Sequence, residues 1–379
     1  MTKNEYLIEL AMELQKIDAG NMLAPDIKQA IVFYQEMIDD MMEDGKTEEE
    51  AVASMESVKD IAERMRREFI LPSDKRTTAP QVPPEPPVPP VRPAPPTRTS
   101  ADGRLKSTGS ADGDYTRMKH TADPDAISEI VVSDEDNSVR LVSGSELSVE
   151  YSENETDTYA VSLSDGVLCV KYKKEKRFSL RNVLGMFRGR KEFRIVVPET
   201  WRGRVRISST NAQVTAENVD LECLTLQTTN GSVNVRKARL AKELGAKTSN
   251  SAITLNEITA PGADIRTTNG RISAENMRIF GQCRLGTSNG RIEAADISAE
   301  GVAISTANGR INVRAITAYA IKLATSNGSI GGSVCGRRED YRISSRTSNG
   351  KNSLGSTDSG ARTLDVSTSN AGIDIDFEG

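Results

Sequence analysis

One short motif recurs through the second half of the chain at a nearly constant interval. It consists of Ser or Thr, any residue, Asn, a small residue, any residue, and Val or Ile. The steps between its asparagines are 19, 20, 19, 20, 19, 19, 22 and 21 residues. The nine positions are Asn211, Asn230, Asn250, Asn269, Asn289, Asn308, Asn327, Asn349 and Asn370. A fixed period of this length predicts a solenoid, in which each repeat forms one coil.

Apolar residues flank most of these asparagines, as Leu285 and Ile292 flank Asn289, and alternation sends them inward. Asn and Gly tolerate a left-handed backbone, so each Asn-Gly pair predicts a sharp corner. A coil this short suits two or three small strands, whose stacking would give an internal ladder of asparagine amides. The fold class predicted is mainly β, a parallel β-helix of coils of about 19–20 residues. An antiparallel meander with Asn-Gly hairpins is the alternative, although each step also contains a second corner.

The remaining sequence divides into three parts. Residues 1–72 predict an acidic α-helical module, because helical apolar spacing follows Ser or Thr capping residues such as Thr2 and Thr47. Residues 73–122 are rich in Pro, Gly and Ser and predict a disordered linker. Residues 123–200 alternate in the manner of β-strands that lead into or cap the solenoid of residues 201–379.

Catalytic, metal and cofactor sites are not expected. The four cysteines form no CxxC pair, and a chain with one histidine is a poor zinc protein. The histidine, His120, falls in the predicted linker, which leaves no nucleophile–base pair. Acids in the coils are single, without the paired carboxylates of a carbohydrate-active β-helix enzyme, so that class is a remote alternative. Few aromatic residues and a weakly basic repeat region argue against nucleic-acid binding.

Three consecutive coils carry arginine two residues after the Asn, at Arg271, Arg291 and Arg310. Stacking would set these side chains in a row. The sequence favours a solvated edge whose charge is compensated locally by acids expected at the same corner, which are Glu275, Glu293 and Glu300. The functional alternative is an anion-binding stripe that Lys351 extends, with an anionic lipid headgroup or an envelope polymer as its ligand.

The terminal strand offers an open edge at Ile373, Ile375 and Phe377. Its alternating acids, Asp374, Asp376 and Glu378, predict a guard against edge pairing. Without that guard the chain would be a polymerising or structural β-helix. The oligomeric state is left open.

Two family resemblances add to this reading. The repeat half, with RIVVPET followed by TSNGxI units, resembles the bacterial β-strand-repeat family of adhesin-like proteins over residues 125–379. The N-terminal module, with NEYLIELAMEL and SVKDIAERM, resembles the HAAS α-helical domains of Gram-positive bacteria. Together they are similar to LiaX-type envelope-stress proteins of Firmicutes. The resemblance implies a non-enzymatic binding or scaffold protein in envelope-stress signalling or surveillance.

Residues 1–72 would then bind a protein partner, such as a regulator or a membrane sensor. The N-terminal sequence does not have the pattern of a signal peptide, and no run of about 18 apolar residues predicts a transmembrane helix. The expected location is cytoplasmic by default, and the alternative is the periphery of the membrane, or the cell surface by non-standard export.

Overall fold

A computed structural model describes residues 1–16, 38, 42, 47–55, 57–61, 98–99, 105–112, 115–154, 157–174 and 192–379. The described α-helices belong to one compact unit, and the strands belong to another together with the 3-10 helices Pro124–Ala126 and Arg338–Asp340. Residues 73–97, 100–104 and 113–114 of the predicted linker lie outside the described residues.

The helical unit contains α1 (Lys3–Lys16) and α2 (Glu48–Ala53). The predicted capping boxes are confirmed. The Glu5 amide donates to Thr2 Oγ1 at 3.2 Å while the Thr2 amide donates to Glu5 Oε2 at 2.8 Å. Thr47 caps α2 in the same way with Glu50. The core of this unit consists of apolar residues at helical spacing, namely Tyr6, Leu7, Leu10, Ala11, Leu14, Ile38, Ala51, Val52, Val58 and Ile61.

The strand unit is a parallel β-solenoid, which confirms the predicted fold class. Each regular coil has one short strand and one longer strand, and each pairs in parallel with its equivalents in the coils before and after. The antiparallel meander is therefore wrong. The short strands are β10 (Arg204–Ser208), β12 (Cys223–Gln227), β14 (Glu243–Lys247), β16 (Gly262–Arg266), β18 (Gln282–Gly286), β20 (Gly301–Ser305), β22 (Ala320–Ala324), β24 (Tyr341–Arg346) and β25 (Arg362–Ser367). The longer strands are β11 (Val214–Leu221), β13 (Val233–Leu240), β15 (Ile253–Ala260), β17 (Ile272–Ile279), β19 (Ile292–Ser298), β21 (Ile311–Ile316), β23 (Ile330–Cys335) and β26 (Ile373–Glu378).

A bend in each of six long strands comes from one residue with a left-handed backbone. The φ angles there lie between 51° and 58°. The residues are Asn218, Lys237, Glu257, Asn276, Asp296 and Ala315. Because the bend shifts the alternation by one residue, both halves of a strand still bury their apolar side chains, as Ile272, Ala274, Met277 and Ile279 do in β17.

The Asn-Gly pairs do not have the left-handed backbone that the sequence led us to expect. Within residues 192–379, neither the ladder asparagines nor the glycines that follow them have φ in that range. Glycine is favoured there by a close approach between coils. A Cβ on Gly290 would lie 1.8 Å from the carbonyl oxygen of Gly270 in the preceding coil.

Nine further strands build the first end of the solenoid. They are β1 (Arg98–Thr99), β2 (Leu105–Asp112), β3 (Tyr115–Ala122), β4 (Glu129–Ser133), β5 (Ser138–Gly144), β6 (Leu147–Glu153), β7 (Asp157–Ser164), β8 (Val167–Lys174) and β9 (Glu192–Pro198). Strands β1, β2 and β3 fall within the predicted linker, so that assignment is wrong for residues 98–99, 105–112 and 115–122. Because β2 contains Gly, Ser and Asp, the sequence did not indicate that β2 and β3 form an antiparallel pair. Strand β3 also pairs with β6.

The coils at both ends are stacked out of sequence order. At the first end, β4 lies between β8 and β10, so the coil formed by β8 and β9 lies outside the coil that precedes it in sequence. Strands β6 and β7 pair in antiparallel fashion with its outer side. At the other end, β25 lies between β22 and β24. The last coil in sequence is thus inserted beneath the one before it.

Strand β26 is an edge strand, as the sequence suggested, but other parts of the chain contact it. The Ser353 amide donates to the carbonyl of Ile373, and Ser353 Oγ bonds to Asp374 at 2.6 Å. The Ile373 amide in turn donates to the carbonyl of Lys351. These contacts cover the free edge at the beginning of β26, and the predicted acidic guard concerns the rest of the strand.

Candidate functional site

The repeated asparagines form one exposed row on the solenoid. Each Nδ2 donates to the Oδ1 of the asparagine in the coil before it, over 2.6–2.8 Å. Parallel strands lie about 4.8 Å apart, which allows one amide to reach the next. The row is on the surface, whereas the sequence suggested a ladder inside the protein.

The amides in this row all point the same way, and the row ends on a carboxylate. Asn211 Nδ2 donates to Asp136 Oδ1 at 2.8 Å. At the other end, Asn370 bonds to Asn327 and Asn349 bonds to Asn370, following the interchanged order of the coils. Asp136 therefore sits at the positive end of the aligned amide dipoles, where a negative charge is stabilised.

A second row, of buried hydroxyls, runs beneath the asparagines and was missed by the sequence reasoning. Thr287 Oγ1 accepts from the Gly290 amide of its own coil at 3.2 Å and donates to the Gly270 carbonyl of the preceding coil at 3.1 Å. The same pattern recurs at Thr228, Thr267, Thr306 and Thr325. The signal was present, because Ser or Thr stands two residues before every repeated Asn.

The predicted arginine stripe is formed by three neighbouring coils. The Ile272 amide donates to the carbonyl of Arg291 and the Ile292 amide to that of Arg310, so Arg271, Arg291 and Arg310 occupy equivalent positions. All three are exposed and stand beside the asparagine row. They form a short line of positive charge with about 4.8 Å between successive backbones.

Local compensation of this charge is smaller than expected. Arg291 Nε lies 3.0 Å from Glu293, but Glu275 pairs with Arg314 at 3.5 Å. Glu300 was placed wrongly by the sequence reasoning, since it lies at the opposite corner, before β20. Among residues 192–379, Arg271 and Arg310 have no ion pair.

Lys351 occupies the same column but does not continue the stripe directly. The Ile330 amide donates to the Gly372 carbonyl, and the Ile373 amide donates to the Lys351 carbonyl. Ser329 and Gly372 therefore separate Lys351 from Arg310. The interchange of the last two coils adds Gly372 to the gap that Ser329 leaves.

A shallow groove of about 810 Å³ follows the bends in the long strands. Acids and bases both line it, among them Asp220, Lys237, Glu257 and Arg278. Arg202 and Asp220 are joined by an ion pair of 3.0 Å. The mixed charge gives the groove no preference for ligands of one sign.

His120 is buried among polar and aromatic side chains at the first end of the solenoid. Its Nδ1 lies 2.7 Å from Ser107 Oγ and its Nε2 lies 2.8 Å from Tyr151 Oη. The expectation of no Ser–His pair was therefore wrong, because β2 and β3 bring the two residues together. Burial lowers the pKa of His120, and none of the described carboxylates bonds to the ring. In a hydrolytic triad the serine bonds to Nε2 and a carboxylate orients Nδ1, whereas here Ser107 lies at Nδ1 and Tyr151 at Nε2. We therefore interpret the pair as part of a structural network.

Neither a metal site nor a spanning helix is found in the part of the chain that the structure describes. That part contains no cluster of three or more His, Cys, Asp or Glu side chains suited to an ion. Its helices are also too short or too polar to cross a membrane.

Comparison with protein families gives two matches. The model of the Toastrack DUF4097 family matches residues 127–376, and the HAAS model matches residues 5–64. No protein with a curated description matches significantly.

Solved structures give low similarity. A candidate adhesin from Bacteroides fragilis is 13% identical with a TM-score of 0.35, covering 70% of this chain and 98% of that chain. A candidate adhesin from Parabacteroides merdae is 16% identical with a TM-score of 0.35, covering 59% and 97%. A candidate lipid binding protein from Parabacteroides distasonis is 13% identical with a TM-score of 0.35, covering 73% and 98%. A similarity of this size says nothing about the ligand of this chain.

Proposed function

Because this chain belongs to the Toastrack DUF4097 family, whose model spans residues 127–376, we propose that it is a non-enzymatic binding protein that works at the periphery of the cell membrane. Its solenoid binds anionic envelope components, and its HAAS-like module binds a protein partner in envelope-stress signalling. The observation that carries this proposal is the row formed by Arg271, Arg291 and Arg310, in which two guanidinium groups have no ion pair with any residue that the structure describes.

A row of like charges is unfavourable unless anions lie along it. Like-charged side chains on neighbouring strands destabilise a sheet. Among the described residues, only Glu293 forms an ion pair with one of the three arginines. Guanidinium groups bind phosphate through two parallel hydrogen bonds. An anionic lipid surface presents many phosphates at once, so all three arginines can be satisfied together.

Liposome co-sedimentation tests the stripe. We expect wild-type protein to bind vesicles that contain phosphatidylglycerol and to ignore neutral phosphatidylcholine vesicles. A basic residue near an anionic membrane contributes about 1 kcal/mol, so the R271S/R291S/R310S variant should bind roughly 100-fold more weakly. Binding should also fall with salt, since the screening length is about 8 Å at physiological ionic strength.

A matched control removes the same charge elsewhere. Arg202, Arg236 and Arg314 are exposed, but each has an acidic partner, at 3.0, 3.7 and 2.7 Å respectively. The R202S/R236S/R314S variant should bind vesicles much as the wild type does. Equal binding by the stripe variant and the wild type would remove the stripe from consideration.

The partner of the helical module is tested with full-length protein. Met12 of α1 is exposed, while Leu7, Leu10 and Leu14 are buried in the core of the module. Cross-linking in cells should capture a regulator or membrane sensor with the wild type. We expect M12E to lose this partner and the control E13Q, which alters a neighbouring polar residue, to retain it. Identical capture by both variants would argue against a partner on this face of α1.

A further inference from the structure

Among the described residues of the solenoid, two large aromatic side chains are exposed, and both lie at the same corner. Phe280 is 65% exposed and Tyr319 is 68% exposed. Both stand between a long strand and the following short strand, on the corner opposite the asparagine row. Aromatic residues make up only 4% of the chain, so the exposure of two of them on one corner needs a physical explanation.

Phe280 occupies an extra position at this corner. One residue, Pro261, separates β15 from β16, whereas two residues, Phe280 and Gly281, separate β17 from β18. The longer connection accounts for the 20-residue step between Asn269 and Asn289. The added residue carries its ring into solvent and contributes nothing to the core.

The spacing of the two rings is set by the coils. The Glu300 amide donates to the carbonyl of Gly281, and the Tyr319 amide donates to the carbonyl of Glu300. Gly281, Glu300 and Tyr319 therefore form one column, and Phe280 and Tyr319 stand two coils apart, about 10 Å along the axis. The coil between them carries a carboxylate at this position.

Unused hydrogen-bonding groups surround the rings. Glu300 is exposed and has no ion pair among residues 192–379. The amide of Gln282 lies over Gly301, where a Cβ would be only 2.5 Å from Gln282 Oε1. Within the same residues, the Gln282 side chain forms no hydrogen bond, so its amide is free to bind a ligand.

We propose that Phe280, Gln282, Glu300 and Tyr319 bind a linear β-1,4-linked glycan. In such a polymer each ring is turned over relative to the next, so alternate rings present the same face at intervals of one disaccharide. That interval matches the two-coil separation of the aromatic rings. The polarised C–H bonds of a sugar face rest on the negative face of an aromatic ring, while hydroxyl groups bond to the carboxylate and the amide.

A protein partner fits this corner less well. The apolar surface is divided by Glu300 into two separate rings, whereas protein-binding patches are contiguous and extend over several hundred square ångströms. Two spaced rings with free polar groups between them suit a narrow, hydroxyl-rich chain. The site is on the corner opposite the arginine stripe, so either can fail without the other.

Calorimetric titration of the full-length protein tests the site. The probes are the tetramers of β-1,4-linked N-acetylglucosamine and β-1,4-linked glucose, with α-1,4-linked maltotetraose as the control sugar. We expect one or both β-linked tetramers to bind and maltotetraose not to bind. Each ring should account for roughly a tenfold change in affinity, so F280A/Y319A should bind about 100-fold more weakly.

A second variant separates stacking on a sugar from general apolar contact. F280L/Y319L keeps apolar side chains but removes both π faces, and we expect it to lose binding as F280A/Y319A does. Because both residues are exposed, thermal unfolding should be unchanged in these variants. Absence of binding by both β-linked tetramers, or wild-type affinity in the leucine variant, would overturn the proposal.

Discussion

Removing a single hydroxyl from Thr287 tests the physical account of how the coils hold together. In T287V the side chain keeps its shape but can no longer bond to the Gly290 amide at 3.2 Å or to the Gly270 carbonyl at 3.1 Å. Thr287 is buried, with 8% of its surface exposed, so water replaces these bonds poorly. A buried polar group without a partner costs about 1–3 kcal/mol. We therefore expect T287V to lower the free energy of unfolding by about 2–4 kcal/mol.

The control for this prediction is T287S, which keeps the hydroxyl and removes one methyl group. That change should cost only about 0.8 kcal/mol, the value for one buried methylene. Ser209 already fills the equivalent place in the first regular coil, where its Oγ accepts from the Ala212 amide. Urea unfolding followed by the β-sheet circular dichroism signal measures both variants. If T287V and T287S differ by less than about 0.5 kcal/mol, the hydroxyl row does not stabilise the solenoid as described.

Three further predictions concern the ladder, the close glycine contacts and the buried histidine. N289D loses the donor that Asn289 directs to Asn269 over 2.7 Å. Because the site is exposed, the substitution should lower the free energy of unfolding by only about 1 kcal/mol near pH 7. This destabilisation should be smaller in acid, where a protonated carboxyl group can donate a hydrogen bond again. G290A should lower the melting temperature by several degrees, whereas G286A, whose new Cβ lies 3.7 Å from its nearest neighbour, should not. Burial lowers the pKa of His120 below its ordinary value of 6.5, so the unfolded chain takes up the proton first and stability should fall as the pH drops below that value. Denaturant midpoints measured against pH should show this fall in the wild type and a flatter profile in H120Q.

Much of the solenoid could be predicted because its physical requirement is visible in sequence. Coils can stack in register only if they have similar lengths, and the constant spacing of the asparagines reports that length directly. The inward residues follow from alternation, as at Leu285 and Ile292, both of which are buried. The asparagine row then follows from stacking, although its exposure does not.

Other features left no signal that a single sequence can show. The bends at Lys237, Glu257 and Ala315 use residue types that carry no preference for a left-handed backbone, so nothing distinguished them. The Ser107–His120 contact was hidden because Gly109 and its polar neighbours make β2 look like linker. The longer steps before Asn349 and Asn370 indicated an irregularity but not which coil stacks on which.

The inserted last coil has a consequence for synthesis on the ribosome. Strand β24, residues 341–346, leaves the ribosome before β25, residues 362–367, which is the strand that it pairs with. The nascent protein therefore lacks one layer of the stack until its final residues have been synthesised. A stop codon just after residue 360 would delete an inner layer and leave β22 and β24 without the strand that joins them. Duplication of a regular coil in the middle of the stack would only make the protein longer, so growth of such proteins over evolution should be confined to the interior.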